Sequence, residues 1–298
     1  MADFRLTVFY TVAKRLSFTR AADELYITQP AVTKHIRELE QQYNNKLFDR
    51  QGNTIRLTEA GLILLNHTES LLSTYRSIEF DMNALLQKHK GLLHLGASTT
   101  ISQYLIAPIL AGFKKKFGDI ELKLLTGNTE QIERALVEKE IELGIVEGRS
   151  KNQEISYSEF IKDEIVLVCH KNHPLAKKAE IDPANLPEYH FIVREQGSGT
   201  RQVIDHALKA AGLRIADLPV EIQLGNTESI KSYLMHSTSL AFLSIHSLSR
   251  ELLSGDLRVI EVKDLNITRS LYFIHLQGQA SAIVEKMMRF AQLHYNLK

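Results

Sequence analysis

The sequence predicts a mixed fold: a small helical domain at the N-terminus, one long helix, and a larger domain in which strands and helices alternate. Three observations carry this. Residues 4–43 hold three short stretches with apolar residues at helical spacing. The stretch from Thr58 to Gln87 contains no proline and, after Gly61, no glycine. From Gly91 onward, short apolar runs alternate with amphipathic ones, which is the α/β pattern. The chain has 298 residues, enough for roughly two domains at ~150 residues each, both able to bury a core. Its 44% hydrophobic and 24% charged residues are those of a soluble globular protein.

The first helix places Phe4, Val8, Thr11, Val12 and Leu16 on one inward stripe. Ser17 then caps a second helix with Phe18, Ala21, Ala22 and Leu25 at i, i+3, i+4 and i+7, ended by Tyr26 and Ile27. Thr28 caps a third, with Pro30 in the first turn, where a missing N–H costs nothing. Val32, Ile36, Leu39 and Tyr43 form its inward face. Gln29, Thr33, Lys34 and Arg37 are left outward: an amide, a hydroxyl with a methyl, and two cations, a kit suited to base edges and phosphates. A charged solvated face is the commoner meaning of such residues, so the helix pair alone leaves the two readings even.

The next residues tip the balance. Leu47 to Leu57 form two short strands about a Gly52-Asn53 turn, a wing, with Arg50 and Arg56 flanking the turn where they reach phosphates or a minor groove. The run Ala21-Ala22, Gln29-Pro30-Ala31-Val32-Thr33, Ile36, Leu39-Glu40, Leu47-Phe48, Arg50 and Leu57-Thr58-Glu59-Ala60-Gly61 resembles the winged helix-turn-helix of LysR-type transcriptional regulators over about forty positions. Thr33 stands where that family usually carries serine. The hydroxyl is kept, and the added methyl bears on base preference rather than on binding.

The charge distribution agrees. Residues 1–57 hold nine Lys or Arg against six Asp or Glu, an excess of three, where the whole chain carries only +1. Beyond the wing, Thr58 caps the long helix. Leu64, Leu71, Ile78 and Leu85 recur every seven residues, with Thr68, Tyr75 and Met82 between them, and Leu65, Leu72 and Leu86 form a second stripe. That is a dimerisation seam, because so much apolar surface is unstable alone. The resemblance implies the same pairing, and a dimer of dimers.

Strands are expected near 92–96, 121–126, 143–147, 165–170, 191–194, 220–224, 241–244, 259–262 and 270–275, and helices near 109–117, 130–139, 201–211, 227–236 and 280–295. Residues 161–168 and 265–271 are expected to cross between two lobes. The resemblance implies a two-lobed, periplasmic-binding-protein-like effector domain, and so the division 1–58 (winged domain), 59–90 (linker helix) and 91–298. Lobe I would hold 91–161 and 268–298, and lobe II 162–267.

Four polar turns each follow a strand and precede a helix: Ala97-Ser98-Thr99-Thr100, Gly127-Asn128-Thr129, Gln196-Gly197-Ser198-Gly199-Thr200-Arg201, and Gly225-Asn226-Thr227-Glu228-Ser229. In a doubly wound sheet such turns gather ligands at helix N-termini, which favour anions. Any one of them alone is more often an ordinary cap. The resemblance places the family's inducer between the lobes. The effector-binding candidates are therefore Ser98, Thr99, Thr100, Asn128, Thr129, Gly197, Ser198, Thr200, Arg201, Asn226 and Thr227, with Arg194 or Arg201 supplying charge. The stretches 97–104, 127–130 and 194–201 are further similar to the subgroup controlling sulfur assimilation and sulfite handling. A cleft rich in hydroxyls and poor in aromatic residues suits a compact oxyanion, sulfite or sulfate, with a small carboxylate as the rival.

Other functions are set aside. Ser198 lies in Gly-Ser-Gly without a nucleophile elbow, His190 and His206 read as scattered polar residues, and neither a P-loop nor a dinucleotide fingerprint occurs. His170 and His173 beside Asp163 and Glu164 are a solvated turn rather than a metal site. Cys169, the single cysteine, sits in an apolar run as a small buried hydrophobe and excludes an internal disulfide. No signal peptide or ~20-residue apolar span is visible, so the expectation is a cytoplasmic protein without membrane partners or cofactor. Its partners would be double-stranded promoter DNA, a small anionic effector, its own copies and RNA polymerase. The alternative, a solute-binding protein or enzyme of periplasmic-receptor ancestry, leaves the N-terminal winged domain unexplained.

Overall fold

The computed structural model describes residues 3–51, 54–85, 91–148, 152–178, 180–278 and 280–296. The chain divides into two compact units, residues 1–92 with 138–140, and residues 93–137 with 141–298.

In the first unit, α1 (Phe4–Arg15), α2 (Phe18–Leu25) and α3 (Gln29–Tyr43) surround a core of Val8, Phe9, Val12, Phe18, Ala21, Val32, Ile36 and Leu39. The caps form as expected: Ser17 Oγ accepts the Arg20 N–H at 3.2 Å, and Thr28 Oγ1 the Ala31 N–H at 3.4 Å. Three side chains depart from the expected stripes. Phe4 and Leu16 are exposed and Phe9 takes the centre, because α1 turns Val8, Phe9 and Val12 inward together and Leu16 has left the helix in a left-handed cap. Tyr43, in the last turn of α3, is also exposed and lies outside the core.

The wing is the antiparallel pair β1 (Phe48–Gln51) and β2 (Thr54–Leu57), in register from Phe48↔Leu57 to Gln51↔Thr54. Glu40 ties it to α3 by accepting the Leu47 N–H and the Lys46 ammonium, both at 3.0 Å. Gly52 and Asn53 lie outside the described residues, as does the side chain of Arg50. Thr58 then starts α4 (Glu59–Leu85), its hydroxyl accepting the Gly61 N–H at 3.0 Å and donating to the Lys46 carbonyl at 2.6 Å. Gly61 lies so close to the wing that a Cβ there would meet the Leu47 carbonyl oxygen at 2.2 Å.

The second unit is two-lobed α/β. Its first lobe comprises β3 (Gly91–Ser98), α5 (Thr99–Tyr104), α6 (Ile106–Lys116), β4 (Ile120–Gly127), α7 (Thr129–Val137) and β5 (Leu143–Glu147). The strand β6 (Ile155–His170) leads into the second lobe: β7 (Glu180–Ile181), β8 (Phe191–Arg194), α8 (Gly199–Ala210), β9 (Val220–Leu224), α9 (Thr227–Leu234), β10 (Ala241–Ser244), α10 (Ser249–Ser254) and β11 (Leu257–Val262). The return strand β12 (Ile267–Leu276) and α11 (Ala282–Asn296) complete the first lobe, where Phe290 of α11 packs edge-on against Phe113 of α6.

The order β4-β3-β5-β12-β6-β11-β7 is continuous, with β10 also on β6. Continuity follows from length: 16 residues of extended chain span about 50 Å, enough to serve both lobes. β12 pairs with β6 from Ile267↔Ile165 to Leu276↔Ile155. The two expected crossings are therefore one two-stranded antiparallel connection, and it is longer than the sequence pattern suggested. The short elements α5, α10 and the two-residue β7 are additions to the expected set.

Candidate functional site: a DNA-reading face and an interlobe cleft

On α3, Gln29 and Pro30 are exposed at the N-terminus, followed by exposed Lys34 and Arg37 and half-buried Thr33. The Gln29 amide donates to the Thr33 hydroxyl at 3.1 Å, so the two groups share one orientation. Lys34 is held only loosely, 3.9 Å from Glu38. Arg37 lines a recess of about 320 Å³ between α3 and the wing, together with Thr33, Lys46 and Asp49. Exposed Arg56 lies on β2, directly opposite Asp49. Arg50 lies on β1 opposite Ile55.

Along α4, Leu71, Tyr75, Ile78 and Met82 are exposed at intervals of three and four, an apolar stripe with no cover among the described residues. Leu64 differs, since it packs half-buried on the winged core, and Thr68 is fully buried. The side chain of Leu85, together with Leu86 and Gln87, lies outside the described residues. A recess of about 420 Å³, lined by Leu6, Tyr43, Ala60, Ile63, Leu64 and Leu71, adjoins the stripe. This is where Tyr43 belongs, facing an apolar hollow rather than the core.

In the second unit the polar turns converge between the lobes. Ser98, Thr100, Thr129, Ser198, Thr200 and Thr227 are all buried. Several candidates act as caps: Ser198 Oγ accepts the Arg201 N–H at 3.4 Å, Asn226 Oδ1 the Ser229 N–H at 2.8 Å, and Asn128 Oδ1 the Gln131 N–H at 3.0 Å. Thr99 Oγ1 is engaged twice, donating to the Gly127 carbonyl at 3.0 Å and accepting from Arg194 at 3.4 Å. The lobes meet here. The Glu130 N–H donates to the Gly197 carbonyl at 3.2 Å, Asn128 Nδ2 to the Gln196 carbonyl at 3.3 Å, and Arg194 reaches Thr99 from the second lobe. Tyr104 adds a further tie, its hydroxyl donating to Glu228 at 2.5 Å beneath the buried ammonium of Lys231.

The charge is supplied differently from the expectation. Arg201 is half-buried, but its guanidinium donates to the Arg194 carbonyl at 2.6 Å and to Gln223 at 3.2 Å, both in its own lobe. It is Arg194, buried, that crosses the cleft, held in place by Glu195 at 2.8 Å. Two further buried charges, Glu147 and Arg269, are not singled out by the sequence, and Asp163, expected with His173 in a solvated turn, is buried, as is His173. Asp163 and Arg269 face each other across β6 and β12, with Arg269 Nε donating to Asp163 Oδ2 at 2.7 Å and Nη1 to Thr200 Oγ1 at 2.8 Å. Ser244 donates to the other Asp163 oxygen at 2.8 Å. A signal for them existed: Ile161, Asp163, Ile165 and Leu167, like Ile267, Arg269, Leu271 and Phe273, share one face by the two-residue repeat. A charge inside such a run is a buried charge.

Glu147 ends β5, and Thr129 Oγ1 lies 3.1 Å from its Oε2. Burial pushes its carboxyl up, but Arg269, the Ser98 hydroxyl, Arg194 and Thr100 together outweigh it and hold the group below its ordinary value. A separate cavity of about 470 Å³ lies in the second lobe, and carboxylates Glu164, Glu261 and Asp264 on its lining make it unsuited to an anion. Cys169 is buried, its thiol pushed up to about 11 by burial. Among the described residues no His, Cys, Asp and Glu group is arranged to hold a metal ion, and no helix is long and apolar enough to cross a membrane.

Comparison with known proteins now decides the family. Residues 4–62 match the bacterial regulatory helix-turn-helix of the lysR family, and residues 86–295 match the LysR substrate binding domain. The chain belongs to the LysR family. It is 29% identical over 270 residues to the HTH-type transcriptional regulator CysL of Bacillus subtilis, covering 91% of this chain and 89% of that protein. A probable RuBisCO transcriptional regulator of Cyanidioschyzon merolae is 32% identical over 277 residues, covering 91% and 90%. Among solved structures, the regulatory domain of Synechocystis CcmR in complex with 2-PG is 28% identical, with a TM-score of 0.63 over 68% of this chain and 96% of that one. A full-length OxyR variant of Pseudomonas aeruginosa, with one cysteine replaced by aspartate, shares the fold at 18% identity and a TM-score of 0.74, covering 98% and 95%. This LysR-type protein is thus a DNA-binding transcriptional regulator with an effector-binding domain, built on domains of regulators rather than of enzymes.

Proposed function

We propose that the protein is a cytoplasmic, homotetrameric regulator whose α3 and wing bind an operator, while the cleft between its lobes senses a small compact anion. Sulfite or sulfate are the first candidates and a small carboxylate is the rival. The observation that carries the reading is the convergence of five buried hydroxyls, those of Ser98, Thr100, Thr129, Ser198 and Thr200, with buried Arg194 and Arg269 at the junction of the lobes. Such donors, together with the N-terminus of α8, suit an oxyanion that accepts from several directions. Arg201, engaged within its own lobe, does not offer the guanidinium fork a planar carboxylate would use. The relatedness to a CcmR regulatory domain solved in complex with 2-PG supports a small-molecule effector in this domain.

On the DNA side, Gln29 and Thr33 read base edges, with Pro30 fixing the start of the helix between them. Lys34, Arg37, Arg50 and Arg56 hold phosphates. Leu71, Tyr75, Ile78 and Met82, with Leu64 and Leu85 at the ends, pair two copies along α4, and pairs associate into a tetramer. The divisions 1–58, 59–90 and 91–298 are part of the same reading. The effector biases two tetramer states by differential affinity, altering how the DNA-bound protein meets RNA polymerase.

Calorimetry with sulfite, sulfate, acetate and an aromatic acid tests the ligand class. A sulfur anion is expected to bind and the aromatic acid is not. No uptake of either sulfur anion, or undiminished uptake by a folded Thr100→Val, Ser198→Ala double variant, would exclude the reading.

A further inference from the structure

The proposed anion site relies on hydroxyls as donors, and Glu147 limits what those hydroxyls can offer. A hydroxyl has one proton and two lone pairs. Thr129 Oγ1 lies 3.1 Å from Glu147 Oε2 and 3.3 Å from the Glu147 carbonyl, so whichever oxygen it serves, its proton goes to Glu147. Ser98 is 0% exposed and its Oγ makes no hydrogen bond of normal geometry, yet it and Thr100 stand close enough to stabilise the carboxylate. Glu147 thereby uses, as a built-in anion, part of the donor set a ligand would need.

The charges around it do not cancel. Arg269 is engaged by Asp163 at 2.6 Å and Arg194 by Glu195 at 2.8 Å. Among the described residues no cation lies within the 4.0 Å of an ion pair with Glu147, which is only 3% exposed. Two guanidinium groups thus face three carboxylates, Asp163 on β6, Glu195 after β8 and Glu147 on β5. The second lobe closes directly on this group: a Cβ on Gly199 would meet the Glu147 carbonyl oxygen at 2.4 Å and Thr129 Oγ1 at 2.5 Å. The first turn of α8, with Ser198 and Thr200, is therefore pressed against the main chain and Cβ of Glu147 and against Thr129, so a ligand held by that turn lies next to Glu147.

We infer that Glu147 determines the specificity of the cleft, admitting a small anion that brings its own proton donor and refusing a bare dianion. Hydrogensulfite or a hydroxy-acid monoanion can donate an O–H to the carboxylate and accept from Ser198, Thr200 and the α8 amides. Sulfate has no proton to offer and sets like charges together where water is excluded. The inference rests on the anion reading above and narrows its ligand class.

The test is calorimetry on the full chain with sulfite and sulfate between about pH 6 and about pH 8, where sulfite loses its proton and sulfate stays a dianion. Wild type is expected to bind sulfite less tightly as pH rises, and sulfate at least about tenfold more weakly than sulfite at the lower pH. Glu147→Gln, of the same shape but uncharged, should gain about tenfold or more for sulfate and lose the pH dependence. Glu147→Asp should keep the wild-type order. Sulfate bound as tightly as sulfite by wild type, or an unchanged ratio in folded Glu147→Gln, overturns the role of Glu147 and leaves the anion reading standing. Absence of all anion binding overturns both. Should Glu147→Gln fail to fold, the wild-type pH profile decides alone.

Discussion

The outward face of α3, proposed to read DNA, and the interlobe cleft both carry polar side chains, but under opposite conditions. Gln29, Lys34, Arg37 and Arg56 stand in water, where each is nearly free to exchange solvent for a phosphate or a base. Glu147, Asp163, Arg194 and Arg269 are buried, where a charge without a partner is costly and each is therefore already committed. An exposed site can be altered with little effect on its fold, whereas altering a buried one also costs stability. Changes on α3 should appear in DNA binding and not in stability, and changes in the cleft in both.

The largest expected effect is on the buried pair. Asp163→Ala strands the Arg269 guanidinium and should lower the unfolding free energy of the effector unit by about 3–5 kcal/mol, read as a shifted urea midpoint. A shift no larger than that of an exposed residue would mean water reaches the pair, and the contrast between the sites would fail. Next is the seam on α4. Charging Leu71 and Ile78 together to Asp should separate subunits without unfolding them, because both side chains are exposed in one chain. Light scattering should show a smaller particle, and an unchanged mass with an intact fold would place the interface elsewhere.

Smaller effects sharpen the DNA side. Gln29→Ala should cost about 1–3 kcal/mol on the preferred sequence and little on random DNA, while Arg56→Ala should weaken all sequences alike and reduce the salt slope by about 1. Neither should move the unfolding midpoint. Equal losses on both DNAs for Gln29→Ala would remove its base-reading role. The smallest effect is a pH dependence. Since the Glu147 carboxyl is held below its ordinary value, its contribution to stability is complete above that value and lost as pH falls through the folded one. Wild type should therefore lose stability more steeply than Glu147→Gln on acidification. Identical acid profiles would mean that the carboxylate is not held ionised.

The same contrast explains what the sequence disclosed. The winged domain was legible because surface chemistry and caps leave local marks: Ser17, Thr28 and Thr58 all cap where their spacing placed them, and Gln29 and Arg37 stand outside a regular apolar stripe. Errors there fell at helix ends, at Phe4, Leu16 and Tyr43, where the periodicity persists but the side chains are exposed, outside the core. In the effector domain, most strands and the polar turns were visible, since apolar runs and Ser, Thr and Gly clusters are local. The buried charges were not recognised, because Glu147 at the end of Leu-Gly-Ile-Val looks like an ordinary strand terminus and Arg269 finds Asp163 only across 106 positions of chain. Which arginine crosses the cleft also depended on packing: Arg194 and Arg201 are equally plausible in sequence, and only the fold turns the second back on its own lobe.

The most direct test of a cleft coupled to a reading head is the affinity of the full chain for DNA upstream of its own coding sequence, measured with and without saturating sulfite. The account predicts that sulfite changes DNA affinity by about 5–150-fold, and that DNA changes sulfite affinity by the same factor, as linkage requires. Tight, sequence-selective DNA binding that sulfite leaves untouched, although sulfite binds the protein, would contradict it.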